Sequence, residues 1–127
     1  MAAIISTGMC WGAEPLPQVL GQLDFPNSGS TAAQPHFIEG VLYLHSFEYE
    51  QARASFRRAQ QIDDDFAMAY WGETMTYHQS IWGVQDQEAG EAVLRSFGNT
   101  PEARAARAPT PRERAYLRAV EPLFRYG

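Results

Sequence analysis

The apolar positions between Phe37 and Ile62 follow two different helical patterns. From Phe37 to Leu44 apolar side chains surround almost the whole segment, which predicts a helix that is covered on several sides. From Tyr49 to Ile62 they recur at steps of three and four residues, with charged residues on the opposite side, which predicts an amphipathic helix. A tight turn at residues 46–48 would join the two as an antiparallel hairpin.

Small residues are placed along this hairpin where the two helices would meet. Gly40 on the first helix and Ala52 and Ala59 on the second allow the two backbones to approach closely. Tyr43 and Phe56 would then fill the space on either side of the contact. We therefore expect these five residues to form the packing interface of the hairpin.

The spacing of these five residues resembles that of the tetratricopeptide repeat. His36 and Glu39 stand where the repeat has tryptophan and leucine, and Asp64 stands in place of its proline. The stretches LHSFEYEQAR and FAMAYWGETMTYHQSIW also resemble a bacterial, often exported branch of the family, usually of much longer chains. The resemblance implies an all-α solenoid of about two hairpin repeats plus an extra C-terminal helix, and a non-catalytic scaffold for protein–protein interactions.

Further helix boundaries can be predicted along the rest of the chain. The acidic residues 63–65 are predicted to open a helix that runs from Phe66 to Trp82, and a left-handed cap at Gly98 is predicted to end the next one. Two Thr-Pro sequences, at residues 100–101 and 110–111, predict two helix starts, the second with a full capping box. Pro122 is predicted to kink or end the last helix.

In the tetratricopeptide family the first helix of each unit lines an inner groove. The resemblance therefore implies a groove for a peptide or a partner helix, and eight side chains are assigned to it: Phe37, Val41, Leu44, His45, Met68, Trp71, Met75 and His78. Imidazole and thioether groups form a soft ligand set that suits copper, so a metal-binding module that uses His45, His78, Met68 and Met75 is an alternative function. Plain packing of these side chains, in a structural part of a longer array, is a third interpretation.

Composition and motifs exclude several other functions. The net charge is −5 and the arginines alternate with acidic residues, so there is no basic stripe for nucleic acid. Cys10 is the only cysteine, which excludes an intrachain disulfide and a cysteine-based zinc cluster. No nucleophile elbow, phosphate-binding glycine loop or HExxH motif is present. Glu73 and His78 could form an acid–base pair, but an ion pair or a cap is favoured for Glu73, so we predict neither an enzyme nor a cofactor.

The two ends of the chain suggest how it is organised. Residues 1–13 are small and apolar and resemble the later part of an export signal, but no Lys or Arg precedes them, so localisation is left unknown, with export to the periplasm as one option. Residues 14–31 are predicted to be a loop, residues 32–127 a helical domain, and no segment is predicted to span a membrane. An apolar last helix predicts either the N-terminal fragment of a longer array or self-association, through Leu117, Val120, Leu123 and Phe124.

Overall fold

Six α-helices account for most of the computed structural model, which describes residues 20–125. Their bounds are α1 Gln34–His45, α2 Tyr49–Ile62, α3 Ala67–Met75, α4 Gln87–Phe97, α5 Pro101–Arg107 and α6 Pro111–Val120. Two strands of two residues each, β1 His78–Gln79 and β2 Val84–Gln85, and 3₁₀ turns at Ser80–Trp82 and Glu121–Phe124 complete the regular structure of this range. Helix makes up 66% of the structure and strand very little, so the predicted all-α class is confirmed. Among the described helices, none combines the length and the apolar character needed to cross a bilayer.

The predicted starts of the last two helices are confirmed. The Thr100 hydroxyl accepts a hydrogen bond from the Ala103 N–H at 3.1 Å, and α5 begins at the intervening proline. The Thr110 hydroxyl accepts from the Glu113 N–H at 3.2 Å, while the Glu113 carboxylate accepts from the Thr110 N–H, also at 3.2 Å. This is the reciprocal arrangement of a capping box. Helix α6 ends at Val120, two residues before Pro122, as predicted.

The predicted left-handed cap at Gly98 is wrong. The φ angle of Gly98 is 179°, which is extended backbone that any residue adopts. The reason for glycine at this position is space, since a Cβ there would lie 2.9 Å from Cγ of Arg104 and 3.0 Å from its backbone nitrogen. Gly98 therefore allows α5 to turn back closely against the end of α4.

The acidic residues before α3 have a different role from the one predicted. The cap of α3 is Phe66, and no side chain accepts a hydrogen bond there. The Asp63 carboxylate instead accepts from the Ser30 N–H at 2.8 Å, and the Asp65 carboxylate pairs with Arg107 at 2.8 Å. These carboxylates therefore join α2 to neighbouring segments and do not cap α3.

The helix predicted from Phe66 to Trp82 ends at Met75, seven residues early. The Thr76 hydroxyl donates to the Glu73 carbonyl at 2.6 Å, so a side chain competes for the backbone groups that would have continued the helix. The chain then folds into the antiparallel β1–β2 hairpin, in which His78 pairs with Gln85. As a result, His78 lies on a strand and not on the second helical unit.

The ring of Phe56 on α2 lies between a glycine of α1 and a glycine of α3. Phe56 on α2 is completely buried, as are Ala52 and Ala59. A Cβ on Gly40 of α1 would lie 2.8 Å from the Phe56 ring, and a Cβ on Gly72 of α3 would lie 2.3 Å from it. Both glycines are therefore required by the close approach of α1 and α3 to this ring, and Tyr43 packs partly buried at the edge of the same cluster.

The apolar face of the C-terminal helix is covered within the chain, contrary to prediction. Leu117, Val120 and Phe124 are each only 1% exposed, whereas Leu123 is 37% exposed. Leu117 packs in a cluster with residues of α3 and α4, and Val120 and Phe124 pack on Leu94 of α4. Three of the four residues predicted for self-association are therefore part of the chain's own core.

The segment before α1 is irregular, as predicted, but it packs on the helices. Residues 20–30, which we call the strap, lie against α1, α3 and α6, and the ring of Phe25 joins the first core cluster. Residues 20–30 are therefore a loop held against the surface of the helices. The apolar segment 1–13 and Cys10 lie outside the described residues.

Candidate partner-binding cavity

An open cavity of about 370 Å³ lies where the C-terminal ends of α1 and α3 meet the β1–β2 hairpin. Mostly apolar and aromatic side chains line it: Leu44, His45, Phe47, Tyr49, Trp71, Met75, His78 and Ser80. The lining contains no Asp, Glu, Lys or Arg, and a tyrosine, a serine and two histidines supply the polar groups. A concave apolar site with a few polar groups at this volume is typical of a site for a small ligand or a single side chain.

Five of the eight side chains assigned to a groove from the sequence come together in this cavity. They are Leu44, His45, Trp71, Met75 and His78. The other three, Phe37, Val41 and Met68, are completely buried in the first core cluster, so their assignment to a groove is corrected. The reason is that neighbouring elements cover them: the Phe37 ring lies 5.3 Å from that of Phe25 in the strap and 4.9 Å from that of Phe66.

Sequence reasoning missed three lining residues, Phe47, Tyr49 and Ser80. Phe47 has a φ of 61° and is 50% exposed, although a bulky residue rarely adopts the left-handed region. Its ring lies 5.5 Å from that of Trp82, which in turn lies 5.9 Å from Tyr49. The sequence does contain one signal for this site, because Phe47 is an aromatic residue in the turn between two predicted helices. Its contact with Trp82 could be found only from the tertiary structure.

Both histidines of the cavity use the same ring nitrogen, Nδ1, in a hydrogen bond. His45 Nδ1 lies 2.7 Å from the Val41 carbonyl oxygen, and His78 Nδ1 lies 3.1 Å from Oε1 of Gln85. A carbonyl oxygen can only accept, so Nδ1–H donates in each case and Nε2 is the nitrogen that could bind a metal. Each ring is thus oriented by a second group, as in histidines that bind metals.

The soft-metal set predicted from the sequence is only partly assembled. His45, Met75 and His78 line the cavity, but Met68 is completely buried in the core. Within residues 20–125, no group of three or more His, Cys, Asp and Glu side chains could hold a metal ion. Any metal in the cavity would therefore depend on two imidazoles and one thioether.

Glu73 bonds to α2 and does not pair with His78. Its carboxylate accepts from Arg57 Nε at 2.6 Å and from Gln60 Nε2 at 2.7 Å. The hydrogen bond to Glu73 raises the pKa of Arg57, and the Tyr77 hydroxyl adds a further contact to the same guanidinium. The acid–base pair considered from the sequence is therefore not formed, because the helix ends before His78.

Glu113, a second buried carboxylate, joins α6 to the strap. Glu113 is 1% exposed; one oxygen accepts from the Ser28 N–H and hydroxyl, and the other accepts from the Thr110 N–H and hydroxyl. Burial by itself raises the pKa of a carboxyl, but these four hydrogen bonds outweigh it and hold the pKa of Glu113 below its ordinary value. The charged form of Glu113 therefore stabilises the fold.

The chain matches no protein-family model, no curated protein sequence and no solved structure. The resemblance of the first hairpin to the tetratricopeptide repeat therefore depends on residue spacing alone. The chemistry of the cavity has to be argued from its own residues.

Proposed function

We propose that the protein is a non-catalytic helical scaffold whose cavity binds an apolar side chain of a partner peptide or partner helix. The observation that carries this proposal is the open apolar cavity of about 370 Å³ between α1, α3 and the hairpin. Because no Asp, Glu, Lys or Arg lines it and most of the wall is apolar, the partner is expected to present an aromatic, leucine or methionine side chain. The polar groups of the wall would fix the orientation of the backbone around that side chain.

Exposed apolar side chains around the cavity support an interaction surface. Phe47 and Trp82 are 50% and 55% exposed, and Ile81 and Val84 of the hairpin region are exposed as well. Large apolar side chains that are exposed together mark interaction sites, and aromatic residues are enriched in interfaces. The α1–α2 turn and the hairpin would therefore extend the contact beyond the cavity itself.

The resemblance to the tetratricopeptide repeat supports the same class of function. In that family the first helix of each unit lines the surface that binds partners, and in this proposal α1 and α3 are those first helices. The close contact of Gly40, Ala52 and Ala59 with the other helix of the hairpin agrees with such a unit. We propose membership of this family on these grounds, as a scaffold or as a structural part of a longer array.

A peptide library tests the cavity directly. Random 12-residue peptides displayed on phage are selected on the full chain, and the enriched peptides are synthesised for affinity measurement. We expect them to carry one large apolar anchor residue and to lose at least tenfold in affinity when Ser80→Arg places a charged side chain in the cavity. Trp71 is less suitable for this test, because it also packs on Phe25 and Tyr116.

The matched control is Ala106→Arg, an exposed position on α5 away from the cavity. This variant should bind the selected peptides as the unchanged chain does, and circular dichroism should report the same helix content for all three proteins. A library that yields no enriched peptide, or peptides whose affinity is the same for Ser80→Arg, would refute the cavity as the partner site.

A second candidate function is soft-metal binding. The observation that favours it is that His45, Met75 and His78 line the same cavity, with the Nδ1 of each histidine hydrogen-bonded to a carbonyl oxygen. Such a ligand set suits copper(I) better than magnesium or calcium. Calorimetric titration with copper(I) and with zinc should give heat for copper(I) that is lost in His45→Ala. No heat and no rise in thermal stability with either metal would exclude this candidate.

A further inference from the structure

The strap carries one aromatic side chain that contacts three helices at once. The Phe25 ring lies 5.3 Å from Phe37 of α1, 6.1 Å from Trp71 of α3 and 5.5 Å from Tyr116 of α6, measured between ring centroids. Trp71 and Tyr116 also contact each other at 5.1 Å. Phe37, Trp71 and Tyr116 thus form an aromatic surface on three separate helices, and Phe25 of the strap covers that surface.

The strap is also held by hydrogen bonds that a bound peptide would make. The Ser28 N–H and hydroxyl both donate to Oε1 of Glu113, at 3.0 and 2.6 Å. The Asn27 amide exchanges two hydrogen bonds with the Gln34 amide, at 3.0 and 2.6 Å, and Gln34 also donates to the Gly29 carbonyl at 2.8 Å. Helix side chains therefore recognise both the side chains and the backbone of the strap.

The fit is selective at one more position. A Cβ on Gly29 would lie 2.3 Å from the Phe66 ring, so only glycine passes this point without movement of the ring. The surface is thus selective for an aromatic residue, a serine three positions later and a glycine directly after the serine. In the strap these are Phe25, Ser28 and Gly29.

We propose that the strap is a cis-acting ligand, and that the surface it covers is a second binding site for an extended peptide of a partner protein. The peptide carries the same pattern, an aromatic residue followed three positions later by serine and glycine. It can bind only when the strap opens, so its apparent affinity is lowered in proportion to the open fraction. A strap that is closed 99% of the time would weaken binding about 100-fold. This site shares Trp71 with the wall of the cavity, but it binds a different partner segment and does not depend on the function proposed for the cavity.

The experiment uses the full chain and a fluorescein-labelled peptide of residues 20–32 as the probe. Fluorescence polarisation measures its affinity for the unchanged chain and for Phe25→Ala, in which the strap loses its aromatic contacts. We expect at least tenfold tighter binding to Phe25→Ala. Adding Glu113→Gln to this variant should weaken binding at least tenfold, because the acceptor for the serine of the peptide is impaired.

Two controls distinguish binding at this site from nonspecific binding and from binding in the cavity. A peptide with alanine in place of its phenylalanine and serine should not bind, and Ser80→Arg added to Phe25→Ala should leave the affinity unchanged. Equal affinity of the unchanged chain and Phe25→Ala would overturn the proposal. Should Phe25→Ala unfold, Ser28→Ala takes its place as the loosened variant. If both unfold by circular dichroism, the strap is an inseparable part of the core and the proposal is wrong.

Discussion

Replacing Glu113 by glutamine removes a buried charge that holds the strap and the start of α6 together. The carboxylate accepts four hydrogen bonds, at 3.0 and 2.6 Å from Ser28 and at 3.2 and 2.7 Å from Thr110. In Glu113→Gln an amide nitrogen replaces one oxygen and faces two donors. Hydrogen bonds to charged groups contribute about 1.5–3 kcal/mol, so we expect a loss of about 2–3 kcal/mol in the free energy of unfolding at pH 7. For a chain of this size that corresponds to a fall in Tm of about 8–12 °C.

The effect of this substitution should depend on pH in a defined direction. The pKa of Glu113 is lower in the folded chain than its ordinary value, so the unfolded chain binds the proton more readily. The stabilisation is therefore complete above the unfolded pKa of about 4.3 and is lost as the pH falls through the folded pKa. The difference in stability between the unchanged chain and Glu113→Gln should thus shrink as the pH is lowered below about 4.

Urea unfolding followed by circular dichroism at pH 7 and at pH 3 measures both effects. The control is Glu102→Gln, an exposed acidic residue in the first turn of α5 after a similar Thr-Pro start. It should leave the midpoint unchanged within error at both pH values. An unchanged midpoint for Glu113→Gln at pH 7, or a difference that is the same at pH 3, would refute this account of Glu113.

Three further changes should affect stability by different mechanisms. Gly72→Ala should cost about 1–3 kcal/mol by urea unfolding, because its Cβ would lie 2.3 Å from the Phe56 ring; a loss below measurement error would contradict the packing. Arg104→Met should cost about 3–5 kcal/mol in the same assay because it leaves Glu121 buried without its partner, and adding Glu121→Leu should restore much of the loss. Phe47→Gly should be about 1 kcal/mol more stable than Phe47→Ala in thermal unfolding, since only glycine adopts a φ of 61° without strain; the reverse order would contradict this.

Helix starts were predictable where a side chain within three residues provides the cap. The Thr100 and Thr110 caps lie within such a range, and the structure has both. The predicted end of this helix at Trp82 was wrong by seven residues. The apolar segment continues past Met75, and only the Thr76 hydroxyl and the hairpin contacts end the helix there. A helix cap forms between residues that are close in sequence, so the sequence predicts it directly. The conformation of residues 76–86 depends on groups elsewhere in the chain.

The candidate cavity was predictable only in part. Leu44, Trp71 and Met75 were assigned to a groove from the resemblance to the repeat family together with helical periodicity. Periodicity places residues on a face without saying what covers that face. The same reasoning assigned Phe37 and Met68, which the structure buries completely. The buried residues differ from the cavity-lining ones because the strap and neighbouring helices cover them. Which residues are covered cannot be derived from their spacing in the sequence.

By itself, the sequence determined the all-α class, the first hairpin with its glycine and alanine contact, and the capped starts of α5 and α6. These features depend on residues that are close in the chain, where periodicity and capping preferences act directly. Only the tertiary structure decided that Leu117, Val120 and Phe124 are covered, that residues 20–30 pack across three helices, and that the cavity closes against the hairpin. Each of these depends on segments that are far apart in sequence, and burial is a property of what lies opposite a side chain.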